Sequence, residues 1–202
     1  MKYVIEHMEE GFSSWVRLEY RAISKEVGSS GLFLTSIKPS VQVPEEIASV
    51  CTTTPLDVTQ LKELDANFDV SKVCLLDPSA EQELVPEDAK KFDYFLFGGI
   101  LGDHPPRDRT GELRKLGFVG RHLGKTQMTT DTAVRVTQRV IENGQKLDEI
   151  PYVDFPELRF NKHESTEMPF RYIKNDKGEP IMPEGMFELI KQDSEKSLED
   201  ML

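Results

Sequence analysis

The sequence predicts an α/β fold with a parallel sheet, and three features carry that expectation. Four short runs, Tyr3–Ile5, Leu32–Leu34, Val73–Leu76 and Tyr94–Phe97, are apolar at every position. Segments with helical periodicity separate several of them, and Gly28, Asp77-Pro78 and Gly98-Gly99 provide punctuation. A strand that is apolar throughout is covered on both faces, as in parallel sheets flanked by helices.

The elements follow in order. Tyr3–Ile5 runs into Glu6-His7-Met8-Glu9-Glu10-Gly11. Ser13 caps a helix whose Trp15, Leu18, Ala22, Ile23 and Val27 recur at helical spacing until Gly28 stops it. Thr54-Pro55-Leu56-Asp57 reads as a cap, a first-turn proline and an acid, opening a helix with Leu61, Leu64 and Phe68 on one side. Phe118-Val119 begins another strand. Thr129 or Thr130 caps a strong helix through Asn143, ended by Gly144. Beyond Pro151 the period becomes irregular, with a turn at Asn175-Asp176-Lys177-Gly178 and a helix over Met186–Ile190. The expected organisation is a core over residues 1–150, an extension over 151–192 packed on it, and a disordered tail over 193–202.

The chain has 202 residues and a net charge of −11, and the acidity is spread, since residues 151–202 hold 12 acids against 7 bases. Such a field repels phosphate backbones and attracts basic partners. No apolar run approaches a membrane span, and the start carries acid where a signal peptide carries base. Two cysteines, Cys51 and Cys74, give no disulfide framework and, with four histidines, no metal site. A cytoplasmic protein is expected.

Chemistry concentrates in two segments. In Leu96-Phe97-Gly98-Gly99-Ile100-Leu101-Gly102-Asp103-His104-Pro105-Pro106, paired glycines at a strand end let a ligand approach the backbone. The patterns of a phosphate-binding loop are missing. The second segment, Gly120-Arg121-His122-Leu123-Gly124-Lys125-Thr126-Gln127-Met128-Thr129-Thr130-Asp131-Thr132-Ala133, is too rich in small polar residues for a plain connection.

Together these segments resemble the SPOUT class of methyltransferases, and most closely its fungal protein arginine methyltransferases acting on a small-subunit ribosomal protein. The likeness rests on YVIEHMEEGFSSWVRLEY, FLFGGILGDHPPRDRTGELRKLGF and LGKTQMTTDTAVRVTQRVI and covers most of residues 1–150. It implies a C-terminal trefoil knot running from about Phe95 to the last core helix, which patterning alone does not predict. It implies S-adenosylmethionine as cofactor, held by the backbones of Phe97, Gly98, Gly99, Ile100, Leu101 and Gly102, by Gly120, Arg121 and Leu123, and by Gln127, Met128, Thr129, Thr130 and Ala133. Leu96, Ile100, Leu101 and Met128 would enclose adenine. Ribose-methylating relatives carry an arginine shortly after the first strand, where this chain has His7-Met8-Glu9-Glu10; that departure suits a cationic acceptor.

A guanidinium stays protonated and offers planar pairs of donors that carboxylates grip, orient and deprotonate on transfer. Asp103 is the first candidate for that work, followed by Glu9 and Glu10, then Glu19 beside the apolar helix stripe; His104 is an alternative proton acceptor. The expected partner is a basic, ribosomal protein, with RNA not required and the enzyme a monomer. The monomer follows from the last core helix turning Arg135, Gln138, Arg139 and Glu142 away from Ala133, Val136 and Val140. An RNA methyltransferase of the same fold is the alternative, because Arg107, Arg109, Arg114, Lys115, Arg121 and Lys125 form a basic stripe. A non-catalytic module that binds a basic ribosomal segment is a further one.

Overall fold

The apolar runs become neighbours in one sheet of a computed structural model that describes residues 1–99 and 110–199. Its strands are β1 (Lys2–His7), β2 (Leu32–Thr35), β3 (Thr52–Thr53), β4 (Val73–Leu76), β5 (Tyr94–Gly99) and β6 (Val119–Arg121). They lie in the order β3-β2-β1-β5-β4-β6, and every pairing is parallel. Period-two alternation sends Tyr3, Ile5, Leu32, Leu34, Phe95 and Phe97 into one core layer and Val4, Phe33, Val73, Leu75 and Leu96 into the other. This explains the unbroken apolar runs, since each face needs its own apolar side chains.

The upper layer is covered by α1 (Ser14–Val27) and by a later helix over Thr130–Ile141, with Val16, Tyr20, Ile23, Val136 and Val140 turned inward. Ser13 Oγ accepts the Val16 N–H at 3.3 Å, and Gly28, at φ 80°, closes α1 with its N–H on Ser24 O. A short α2 (Glu45–Ala48) flanks α1, and α3 (Thr110–Arg114) closes part of the lower layer through Leu113. The Thr130–Ile141 helix is α4.

The helix expected after Thr54 is instead a 3-10 segment, Val58–Glu63, capped by Asp57. Thr54 N–H still donates to Leu34 O at 2.9 Å, so the chain remains extended along β2 there and the cap forms three residues later. Asp57 Oδ1 accepts the Thr59 N–H at 2.8 Å. Val58, Leu61 and Phe68 fill the lower core, while Leu64 stays exposed.

After Pro151 come β7 (Tyr152–Asp154), β8 (Glu157–Arg159), β9 (Ser165–Glu167), β10 (Arg171–Ile173) and α5 (Met186–Glu199). Antiparallel pairs β7–β10 and β8–β9 and helix α5 build a third apolar cluster, in which Leu158, Met168, Phe170, Tyr172, Met186 and Ile190 pack with Trp15 and Leu18 of α1. The turn at Asn175 forms as expected: Gly178 N–H donates to Asn175 O at 2.9 Å and Ile181 N–H returns to Ile173 O at 2.8 Å. Helix α5 continues to Glu199 through residues without Gly or Pro, with Lys191 and Glu195 3.9 Å apart on successive turns. The knot expected from about Phe95 onward involves residues 100–109, which lie outside the described residues. Among the described residues no helix is long and apolar enough to cross a membrane.

One buried ion pair fastens β6. Arg121 Nε and Nη2 donate to the two oxygens of Asp88 at 3.0 and 3.2 Å, and its guanidinium lies 5.4 Å from the Phe92 ring centre. Burial works to raise the Asp88 carboxyl, and the hydrogen bonds of Arg121 overcome it, so the net shift is downward. Asp88→Asn leaves the guanidinium buried without its counter-charge and is expected to cost about 3–5 kcal/mol of unfolding free energy at pH 7. Because the folded value is depressed, the wild type holds this contribution above the ordinary carboxylate range and loses it as pH falls through the folded value. Urea melts at pH 7 and in acid should therefore show a wide gap between the two proteins that narrows in acid.

Candidate active site

Leaving β1 the chain moves toward β2, and leaving β5 it moves the other way, past β4 to β6. Between two strands whose connections diverge, an open parallel sheet leaves a crevice at the carboxyl ends. The register sets Glu6 opposite Gly98 and His7 opposite Gly99, so the glycine end of β5 stands beside the end of β1.

Glu6 is buried and fully engaged. Its carboxylate accepts from Thr35 Oγ1 at 2.5 Å, from Ser36 Oγ and from Val58 N–H at 3.2 Å, joining the ends of β1 and β2 to the 3-10 segment. His7 is buried as well. Its Nδ1 lies 2.8 Å from the Tyr20 hydroxyl, its ring stacks on Phe12 at 4.7 Å, and its Nε2 has no hydrogen-bond partner among the described residues. Burial lowers its pKa, more than the Gly11 backbone raises it. Neither residue was singled out as a site residue; an acid and a histidine ending a buried strand were the signal available.

Of the first segment, Phe97 packs in the upper core, and Gly98 and Gly99 end β5. Leu96, expected beside adenine, is fully enclosed in the lower core, where strand alternation turns its side chain away from the upper layer. Ile100, Leu101, Gly102, Asp103 and His104 lie outside the described residues.

In the second segment, a Cβ on Gly120 would sit 3.1 Å from Ala80 Cβ, so close packing of β6 accounts for that glycine. The Arg121 side chain is committed to Asp88. Leu123, Met128 and Ala133 are half-buried and rest on the upper core, forming an apolar ledge. Thr129 opens α4, yet its hydroxyl pairs with Thr132 Oγ1 at 2.8 Å and caps no backbone N–H. Thr130 starts the helix. Gln127 O accepts the Arg171 N–H at 2.8 Å and Met128 bridges to Arg171, so strand β10 of the extension braces this turn.

The acids separate into two kinds. Glu9 is half-buried and Glu10 exposed, with Lys38 Nζ 3.9 Å from Glu10 Oε1. Glu19, proposed from sequence as a gripping carboxylate, is 1% exposed and offers no open face. Burial, followed by the charge of Asp131, holds it well above the ordinary carboxylate range. Arg135 also departs from expectation. It is buried between Asp131 and Glu26, because α1 packs along the side of α4 that the apolar pattern left polar. Three bases of the stripe are paired: Arg114 grips Asp77 at 2.5 and 2.7 Å, Lys115 meets Glu112 at 2.8 Å and Arg121 holds Asp88. Arg107 and Arg109 lie outside the described residues.

The described residues place paired glycines at the end of β5 and acids on the chain leaving β1, while Leu123, Met128 and Ala133 rest on the upper core around the start of α4. A family model described as protein arginine N-methyltransferase SFM1-like matches residues 2–197. The chain is 51% identical to the protein arginine N-methyltransferase SFM1 of Saccharomyces cerevisiae over all of both chains. The crystal structure of the yeast arginine methyltransferase SFM1 complexed with SAM superposes with a TM-score of 0.91 at 51% identity, covering 96% of this chain and 91% of that one. A dual specific Trm10 from Thermococcus kodakaraensis, 16% identical, gives a TM-score of 0.51 over 74% of this chain and 96% of its own, a likeness of fold.

The enclosed His7 makes a direct prediction. With its folded pKa below 6.5, the neutral ring favours folding above that pH, and protonation opposes folding as pH falls below it. An NMR titration of the ring protons should find a midpoint under 6.5; a midpoint at or above 6.5 would mean that water reaches the ring.

Proposed function

The chain belongs to the SFM1-like protein arginine N-methyltransferase family, and we propose that it transfers the methyl group of S-adenosylmethionine to an arginine side chain of a basic protein. The observation that carries this reading is the placement of the glycine end of β5 against the end of β1, from which the acidic segment Glu9-Glu10 departs. The acceptor we favour is a small-subunit ribosomal protein.

S-adenosylmethionine supplies an electrophilic methyl on a sulfonium. The residues fit it: Met128, Leu123 and Ala133 give an apolar surface for adenine, Gly98 and Gly99 leave the backbone open, and the first turn of α4 offers amides that Thr129 does not cap. Glu9 and Glu10 would hold the guanidinium by charge-assisted bonds and turn one nitrogen toward the methyl. A nitrogen–carbon bond forms as the sulfur–carbon bond breaks, and a carboxylate takes the proton that the guanidinium releases. Asp103 remains the further candidate for that proton.

A protein acceptor without RNA is supported by three bases of the stripe that are paired among the described residues: Arg114 with Asp77, Lys115 with Glu112 and Arg121 with Asp88. A monomer is supported as well, because α4 is packed by the sheet, by α1 and by the extension. Two free cysteines, both pushed up to about 12 by burial, fit a reducing cytoplasm.

Incubation with a basic ribosomal protein extract and methyl-labelled S-adenosylmethionine should yield methylarginine that survives RNase and disappears with protease. Label that vanishes with RNase and survives protease would overturn the reading. Gly99→Val should abolish cofactor binding in calorimetry while the protein stays folded, because a branched side chain fills the space of the backbone approach. Light scattering at micromolar concentration should give the 23.0 kDa mass of one chain; a dimer would refute the monomer.

A further inference from the structure

The carboxylates offered above to the acceptor sit on a loop that three rings close. His7 is the last residue of β1, and Phe12 follows after Met8, Glu9, Glu10 and Gly11. Fully extended, that stretch would carry the chain about 17 Å. Instead the Phe12 ring lies flat on the His7 ring, with centres 4.7 Å and planes 12° apart. The chain leaves the sheet and returns to its own starting point, with Glu9 and Glu10 in the middle of the excursion. Tyr20 of α1 meets both rings edge-on, 5.8 Å from His7 and 6.2 Å from Phe12. Its hydroxyl lies 2.8 Å from His7 Nδ1, within hydrogen-bond distance.

A polar pair in this place does what an aliphatic filler would not. His7 is 3% exposed and Tyr20 1%, so each polar edge exchanges water for the other. The bond fixes the rotation of the imidazole, and with it the flat face presented to Phe12. On the opposite face of the strand the start of the loop is anchored again, since Glu6 is held by Thr35, Ser36 and Val58. The contact near the apex is of another kind. Lys38 Nζ lies 3.9 Å from Glu10 Oε1 with both side chains exposed, an ion pair that water screens. The Gly11 backbone acts on the His7 ring and the Glu9 charge reaches the Tyr20 phenol, so the loop adjoins the rings on both flanks.

We propose that His7, Phe12 and Tyr20 form an aromatic clasp that holds the Met8–Gly11 loop in one conformation, and that all three are positioning residues for the acceptor guanidinium, acting through Glu9 and Glu10. A carboxylate on a loose loop must give up backbone freedom each time it grips a cation, and that loss is subtracted from binding. A loop ordered by the clasp gives up the same freedom once, when the protein folds. The groups offered to S-adenosylmethionine lie on other segments, at the end of β5 and along residues 123–133. The clasp should therefore govern the acceptor and leave cofactor affinity alone.

The part concerning the acceptor rests on the methyltransferase reading; the clasp itself does not, and the test separates them. In the full chain, Phe12→Ala removes the half-buried ring at the far end of the loop, Tyr20→Phe removes only the hydroxyl, and Phe12→Tyr keeps the stack. Three quantities are read. They are the heteronuclear NOE of the Glu9 and Glu10 amides without ligand, the affinity for S-adenosylmethionine by calorimetry, and the concentration of small-subunit ribosomal protein extract that half-saturates labelling. Phe12→Ala should lower the NOE at both amides and raise the half-saturating concentration about tenfold, the worth of one aromatic pair, with cofactor affinity within about twofold of wild type. Tyr20→Phe should move the first and third quantities in the same direction, and Phe12→Tyr should match the wild type. An unchanged NOE in Phe12→Ala overturns the clasp. Cofactor affinity that falls in step with labelling overturns the positioning role, because the damage then reaches beyond the loop. If Phe12→Ala fails to fold, Tyr20→Phe, which keeps the buried ring, decides by the same readouts. A wild type that binds no S-adenosylmethionine, while Phe12→Ala still loosens the loop, would sink the methyltransferase reading and leave the clasp standing.

Discussion

Lys2 through His7 pair residue for residue with Tyr94 through Gly99, and a slip of one position would undo both the core and the crevice. The side-chain period of a strand is two, so a shift would bring Val4 alongside Phe95 or Phe97 and mix the two core layers. It would also move Glu6 from Gly98 and His7 from Gly99. Glu6 reinforces the register from outside the strand pair, because its three donors belong to β2, to the residue after it and to the 3-10 segment. Ser36, one of those donors, sits at φ 57°, a left-handed backbone that a serine adopts only when its surroundings hold it there. The end of β1 is thus fixed in place before the acidic segment leaves it.

An acidic protein that buries its own arginines presents a different surface from one that displays them. Arg121, Arg135 and Arg114 each carry at least two nitrogens to carboxylates, a task that suits the planar fork of guanidinium and not a single ammonium point. Each base absorbed in this way takes at least one acid with it, so the net charge stays as it was while fewer bare cations are displayed to an approaching partner. The net charge of −11 thus stands beside a set of guanidiniums that are already engaged.

Much of the scaffold was legible because it depends on local rules. The apolar runs, the Ser13 cap and the Gly28 stop gave β1, α1, β2, β4 and β5 nearly to the residue. The turn before α4 stood out by composition, since Gly120–Ala133 holds too many small polar residues for a plain link. What failed depends on tertiary partners. Thr54 had the look of a cap, and the Leu34 carbonyl claimed its N–H for the sheet. Arg135 fell on the polar side of the α4 pattern, and only the approach of α1 buries it. Glu19 was noticed beside the apolar stripe, but nothing in the sequence places Asp131 against it. Strands β7 to β10 are three residues each, too short for any periodicity to register.

Those short strands also explain why the extension belongs to the site. A three-residue two-stranded ladder has no independent stability in water. The extension folds because Tyr172, Met186 and Ile190 find Trp15 and Leu18 on the outer side of α1, and because β10 lends a backbone N–H to Gln127. Arg171 strengthens the joint, gripping Asp154 at 2.6 and 2.8 Å while its guanidinium lies 4.5 Å from the Tyr152 ring centre. Helix α1 therefore meets the sheet on one side and the extension on the other, and α4 begins where both meet. A segment that gains its own order from the walls of a crevice must in return hold those walls, and here the part it holds is the turn that opens α4.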